Sequence, residues 1–140
     1  MMSLLNSLDA KDITKMFLGY KFALEEVNTK ISILSEEYRI VHEYNPIEHV
    51  STRIKSPKSI MKKIEHKKLA WSLHEIEDKI RDIAGVRIVC SFEEDIYRVA
   101  DMLSNQNDIT VIEVKDYIKN PKKNGYRSLH LIVKIPIFLT

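Results

Sequence analysis

Residues 119–130 read KNPKKNGYRSLH. Lys122, Lys123 and the turn-forming pair Asn124-Gly125 lead directly into Tyr126, Ser128 and His130. On a strand, alternation places that ring, hydroxyl and imidazole on one face, with Leu129, Leu131 and Val133 on the other. An aromatic face stacks on a planar base, and cations with open backbone N–H groups bind phosphate. A plain edge hairpin with its polar side in water has the same pattern.

Two further stretches carry similar chemistry. Arg53 and Lys55 lie two apart on an expected strand and share a face, with Thr52 and Ile54 opposite. Ser59 and Lys63 lie four apart on the helix that follows, again on one face. Together they make a cradle for a chain of phosphates, though without the glycines of a Walker A loop. A solvated basic helix is the competing reading. In DIAGVR (82–87), Asp82 precedes an apolar strand. Mg²⁺ bound with a nucleotide takes one or two carboxylates plus phosphate oxygens, and Asp82 suits that role. Its alternative is a local cap or ion pair. Arg87 faces away from Val86, Ile88 and Cys90, and its flat guanidinium can stack on a base. His74, Glu77 and Asp78 share one helical turn but lack a second ligand set, so a solvated acidic turn is expected there. Trp71 reads as a packing anchor. No Ser-His-Asp or Cys-His arrangement stands out.

The elements that must hold these residues follow from periodicity. Residues 9–44 repeat apolar positions in steps of three and four, from Phe17 through Tyr20, Leu24, Val27, Ile31, Leu34 and Tyr38 to Val41, and predict a helix that Gly19 breaks or kinks. Asn45-Pro46 ends it. A strand at 49–55 leads to Ser56-Pro57, an N-cap and first-turn proline for a helix at 57–69. Residues 70–82 are helical or irregular, 85–91 a β-branched strand, 93–104 a helix, and 110–118 and 126–135 strands joined by a turn. The expected fold is α+β, a mixed β-sheet flanked by helices.

The chain has 140 residues, with 22 Lys or Arg against 20 Asp or Glu and a net charge of +2. That length suits one domain. The cations are segregated: seven Lys or Arg and one acid lie between Arg53 and Lys68, and six and one between Lys115 and Lys134. Two such segments suit a polyanion if they converge, or two solvated faces if they do not. Cys90, the one cysteine, lies in an apolar run and is expected to be a buried thiol, with no disulfide framework, in keeping with a reducing cytoplasm. No signal peptide and no membrane span are expected. The terminal run LIVKIPIFLT is apolar enough to expect strand neighbours on both sides, and therefore a domain cut short.

RIKSPKSIMKK (53–63), DIAGVRIVCSFEEDIY (82–97) and DYIKNPKKNGYRSLHLIV (116–133), in this order and spacing, resemble the synthetase domain of the RelA/SpoT family, with a match close to its small alarmone synthetases. The resemblance implies a nucleotidyltransferase-like, truncated synthetase domain over 1–140, lacking its last strands and C-terminal helices. It would have an N-terminal helical region at 9–44 and a nucleotide-binding core at 46–140. It implies a GTP pyrophosphokinase that moves the β,γ-pyrophosphate of ATP onto the 3′-OH of GTP or GDP, making (p)ppGpp and AMP.

On this resemblance, Arg53, Lys55, Ser59, Lys63 and Arg87 belong to the ATP site, the two arginines sandwiching adenine. Asp82 binds Mg²⁺ and, with Arg53, Lys55 and Lys63, makes the catalytic set. Lys115, Lys122, Asn124, Tyr126 and His130 line the GTP/GDP site, Tyr126 stacking on guanine. Intact relatives assemble as homotetramers and some bind single-stranded RNA. The family's E-I-Q-x-R-T-like motif, whose glutamate helps hold Mg²⁺ and activates the 3′-OH, is absent, and Glu113 is no clear replacement. Impaired turnover is therefore expected. The HD-x-x-ED hydrolase signature is also absent, so no alarmone hydrolysis is expected. A non-catalytic nucleotide- or RNA-binding module, or a regulatory subunit acting through the long helix, are the other readings.

Overall fold

A computed structural model of the chain describes residues 10–69 and 72–137. Along them run α1 (Ala10–His42), β1 (Ile47–Ile54), α2 (Pro57–His66), α3 (Leu73–Lys79), β2 (Ala84–Cys90), α4 (Glu93–Ser104), β3 (Thr110–Asp116) and β4 (Leu129–Lys134). The α+β class holds. The strands expected in one mixed sheet pair, among the described residues, as two small sheets, β1 with β2 and β3 with β4. Half-buried and exposed residues alternate along the whole of β2, the pattern of a strand with one face on a core. Trp71 and the last residues of the apolar C-terminal run, Phe138 to Thr140, lie outside the described residues.

The chain forms two compact units. Of the described residues, one comprises those before Val27 and those within Thr52–Val86; the other comprises Val27–Ser51 and those from Arg87 on. The first has an isoleucine-rich core. Ile13 and Met16 of α1, Ile60 and Ile64 of α2, Ile76 of α3, and Ile80 and Ile83 beyond it form one buried cluster, with Tyr20 and Leu69 at its edge. The steps 13, 16, 20 and 60, 64 each follow one helical stripe. Ser56 starts α2 as foreseen: its Oγ accepts the Ser59 N–H at 3.1 Å, and Pro57 occupies the first turn. Ser72 caps α3 likewise, accepting the Glu75 N–H at 3.2 Å. Helix α1 runs through Gly19 without a break, correcting the expected interruption. Good helix formers around it outweigh one glycine's cost, about 1 kcal/mol relative to alanine.

In the second unit, α1 ends as the sequence requires. Glu43 takes a left-handed φ of 54°, and the Asn45 side chain accepts from the Ile47 N–H at 2.9 Å. Strands β3 and β4 are antiparallel, from Thr110 opposite Lys134 to Asp116 opposite Leu129, with a bulge between Val111 and Glu113. Ile31, Val99, Ile109 and Ile118 are buried here. So is Asp95, at 2% exposure, its carboxylate satisfied by the Tyr44 hydroxyl and by Arg98 Nη1 at 3.0 Å. Losing either partner would leave a buried carboxylate short of donors. Cys90 is half-buried rather than buried. Burial, then the Asp95 and Glu48 charges, push its thiol up, so it stays protonated.

The isoleucine core is the unit's main apolar reserve. Ile64→Ala should therefore cost about 2–5 kcal/mol in a urea-unfolding experiment. A midpoint unchanged from the parent would contradict the packing described. An added Cβ at Gly19 meets nothing within 4 Å. Gly19→Ala should accordingly stabilise the chain by about 0.5–1 kcal/mol by the same measurement, and a loss would show an unseen close approach.

Candidate functional site

In the first unit, the end of β1, the start of α2 and the segment before β2 converge. The Lys55 N–H donates to the Ile83 carbonyl at 2.7 Å, which sets Lys55 beside Asp82. Asp82 Oδ2 then lies 2.7 Å from Lys63 Nζ and 3.4 Å from Lys55 Nζ. Burial pushes the Asp82 carboxyl up, but the Lys63 hydrogen bond and charge, with those of Lys55, outweigh it and hold it below the usual carboxylate range. The local ion pair left open by the sequence is therefore real. Ser59 sits one turn before Lys63, its Oγ accepting from Ser56 Oγ at 3.0 Å. Arg53 is exposed on β1. The structure thus brings Lys55, Lys63 and Asp82 into contact, with Ser59 at the capped start of the same helix.

The cluster's chemistry can be tested against a divalent cation. Asp82 offers one ionised carboxylate, 54% exposed at the side chain. Among the described residues, no group of three or more His, Cys, Asp or Glu could hold a metal alone. Asp78, part of the acidic turn, pairs instead with Arg81 at 3.5 Å and Lys79 at 3.6 Å. One carboxylate without a protein cage fits a Mg²⁺ shared with phosphate oxygens, not a stand-alone metal centre.

In the second unit, the hairpin supplies another cluster. Strand β4 begins only at Leu129, so Tyr126 and Ser128 are not strand residues as expected. The reason is a set of turn bonds: Gly125 N–H to the Lys122 carbonyl at 2.8 Å, Lys122 N–H to the Tyr126 carbonyl at 3.1 Å, and Tyr126 N–H to Asn124 Oδ1 at 3.0 Å. Gly125, at a φ of 87°, supplies the left-handed residue this turn needs. Tyr126 and His130 still meet, with the hydroxyl 2.9 Å from Nε2. Ser128 does not join them; its Oγ is buried and without a partner among the described residues.

Lys122 Nζ lies 4.7 Å from the Tyr117 ring centroid and 5.2 Å from that of Tyr126. Lys115, opposite His130 in the register, pairs with Glu113 at 3.6 Å. Burial, then the Lys122 and Lys115 charges, lower the His130 pKa, so its imidazole is neutral near pH 7. Tyr126 remains 42% exposed and open to stacking. The Asn124 side-chain oxygen is engaged inside the turn, where it accepts the Tyr126 N–H. Arg87 is exposed on β2, opposite half-buried Val86, Ile88 and Cys90, as alternation required.

Sequence reasoning missed the bracing of this loop. The Asp116 carboxylate accepts from Tyr97 Oη at 2.8 Å and from the N–H groups of Ile118 and Lys119 at 3.0 and 2.9 Å. Arg127 donates to Glu93 Oε1 at 2.6 Å and to the Ile118 carbonyl at 3.3 Å. Tyr117 was missed too. Its available signal was an aromatic residue at the end of one hairpin arm, facing Tyr126 and His130 on the other.

A family model described as the region found in RelA / SpoT proteins matches residues 52–138. The GTP pyrophosphokinase YwaC of Bacillus subtilis (strain 168) is 49% identical over 130 residues, 93% of this chain and 62% of that protein. YjbM, a second GTP pyrophosphokinase of that strain, is 39% identical over 93% of this chain and 60% of its own length. The chain thus spans 62% and 60% of the lengths of these curated relatives. The crystal structure of small alarmone synthetase 2 from Bacillus subtilis matches with a TM-score of 0.78 at 48% identity, over 92% of this chain and 65% of that one. Small alarmone synthetase 1 from the same organism, bound to its product pppGpp, matches at 0.72 and 42% identity over 84% and 59%. With its signature segments matched over more than half its length, and its fold shared with those structures, this chain belongs to the RelA/SpoT family.

Proposed function

We propose that the chain is a GTP pyrophosphokinase, transferring the β,γ-pyrophosphate of ATP to the ribose 3′-OH of GTP or GDP. The observation that carries this reading is the convergence of Lys55 and Lys63 on Asp82, in a chain 49% identical to a named GTP pyrophosphokinase. In the reaction, the 3′-oxygen attacks the β-phosphorus. A new O3′–P bond forms as the bond from the β-phosphorus to the bridging α,β-oxygen breaks. AMP departs with that electron pair, and the hydroxyl proton is lost to a base or to water.

Lys55 and Lys63 neutralise phosphate charge, and they leave the Asp82 cluster with a net positive charge that attracts a polyphosphate. Ser59 and the first turn of α2 add hydrogen-bond donors at a helix N-terminus, where anions are favoured. Asp82 is the residue that would hold Mg²⁺. That ion, when bound, neutralises charge on the transferring group. On the acceptor, Tyr126 stacks on guanine, while Lys122, Lys115, the Asn124 amide and neutral His130 bind its polar edge and phosphates.

The same reading makes the chain a cytoplasmic protein that self-associates. No described helix is long and apolar enough to cross a membrane. Ile33, Ile40 and Val41 leave an exposed apolar stripe on α1 that suits a second copy.

The test is a synthesis assay with ATP, GDP and Mg²⁺. AMP and a 3′-pyrophosphorylated guanosine nucleotide should appear one for one, and Asp82→Ala should lower the rate by about a hundredfold or more. ADP in place of AMP would sink the proposal, as would a folded chain that binds neither nucleotide. Salt-sensitive RNA binding without guanine selectivity would instead favour the RNA-binding reading.

Asp82 must also stay ionised to serve as a ligand. Its carboxyl should titrate below the ordinary aspartate value of 3.8, followed by NMR, and move upward in Lys63→Met. Because the folded-state value is depressed, the pair's stabilisation is fully present above the ordinary value and is lost as pH falls through the depressed one. An unshifted titration in the parent protein would show that the lysines do not hold the carboxylate in solution.

A further inference from the structure

Three rings at the base of the hairpin loop pack edge to face. Tyr117 and His130 lie 5.3 Å apart between centroids at 85°, Tyr117 and Tyr126 lie 6.1 Å apart at 64°, and Tyr126 and His130 lie 5.8 Å apart at 77°. Tyr126 is the exposed member, whereas Tyr117 is half-buried behind it. Their backbones are held very differently. Tyr117 continues the β3–β4 ladder by one rung, its N–H donating to the Ser128 carbonyl at 2.7 Å. Tyr126 sits in the turn, outside the ladder, where no strand geometry fixes the direction of its ring. Tyr117 also lies nearer than Tyr126 to the Lys122 ammonium, 4.7 Å against 5.2 Å.

We infer that Tyr117 is a positioning residue for the acceptor nucleotide: its ring, anchored on the hairpin, holds Tyr126 on edge and keeps the Lys122 ammonium beside it, so that guanine meets a preset stacking face. The inference rests on reading Tyr126, Lys122 and His130 as the guanine nucleotide site, and it adds a residue that touches the site's members rather than the ligand. The physics is that of preorganisation. An edge-to-face neighbour further restricts a ring otherwise held by its hydroxyl contact with His130, and a π face localises a flexible lysine before phosphate arrives. The contacts are made by the ring of Tyr117, so the aromatic ring is required and the hydroxyl is not.

The experiment is calorimetric titration of the full chain with GDP and, separately, with ATP. Tyr117→Ala and Tyr117→Leu should each weaken GDP binding about tenfold while leaving ATP binding within about twofold, and Tyr117→Phe should bind GDP within about twofold of the parent. Leucine retains apolar volume without a π face, so it separates ring chemistry from simple packing. The ATP titration reports whether each variant is folded. If Tyr126→Ala loses GDP while Tyr117→Ala retains it, the inference falls and the acceptor-site reading stands. Should the parent fail to bind GDP, or Tyr126→Ala bind it normally, both fall together. Phenylalanine as damaging as alanine, leucine as good as the parent, or equal loss of both nucleotides would each overturn the positioning role.

Discussion

The burial of Ile60 and Ile64 against the isoleucine core is the constraint around which the first unit is arranged, and it decides where Lys63 meets Asp82. Helix α2 has a single periodicity and must satisfy two demands with it. Ile60 and Ile64, four apart, are fully buried. Ser59 and Lys63, also four apart and one position earlier, are rotated by one residue from that stripe. The same turn that locks the helix on its core therefore sends Lys63 to the rim. There it meets Asp82, directly before buried Ile83, whose carbonyl receives the Lys55 N–H. Core packing thus sets where the charges meet. Two ammonium groups around one carboxylate make a site that is ionised and positive on balance, which suits a polyphosphate better than either a lone lysine or a lone acid.

The second unit solves a different problem, holding a cationic loop in one shape without burying it. Lys122 and Lys123 are exposed, although the Lys122 backbone closes the turn and its ammonium lies against the Tyr117 ring. The other fixed points are elsewhere. Asp116 gathers three donors, and its carboxyl is held low by the Lys119 backbone N–H first and the Tyr97 hydroxyl second. Arg127 ties the far arm to Glu93 in the first turn of α4. The Arg127–Glu93 pair is exposed and of small individual worth, and of the Asp116 bonds the one from the Ile118 N–H is partly buried. Together with the Gly125 turn and the β3–β4 register, they specify one path for the chain between residues 116 and 129. The aromatic cluster rests on that path.

Much of this was legible in the sequence because it is local. Ser56-Pro57 announced the start of α2 through capping chemistry that needs no distant partner. The apolar spacing of 93–104 gave α4, and Lys55, Lys63 and Asp82 were singled out by residue type beside expected element ends. What failed was also informative. Gly19 was weighted by its own propensity, and 33 residues of helix overrode it. Tyr126 was assigned to a strand because its two-residue spacing to Ser128 and His130 looked like alternation. The turn bonds among Lys122, Asn124 and Gly125 claimed its backbone instead. Asp95, an acid in a helix's first turn, gave no sign of burial, since its partner Tyr44 is 51 positions away.

The sequence by itself determined most of the elements, the Ser56 cap and the residue types suited to phosphate and a base, because helical and strand periods and capping bonds act over a few neighbouring positions. Tertiary structure decided which of those residues touch. It joined Lys55 and Lys63 on one carboxylate, removed Ser128 from the polar cluster, and set Tyr117 behind Tyr126. These outcomes depend on core packing and hairpin register, which bring distant positions within a few ångströms and which no local pattern encodes.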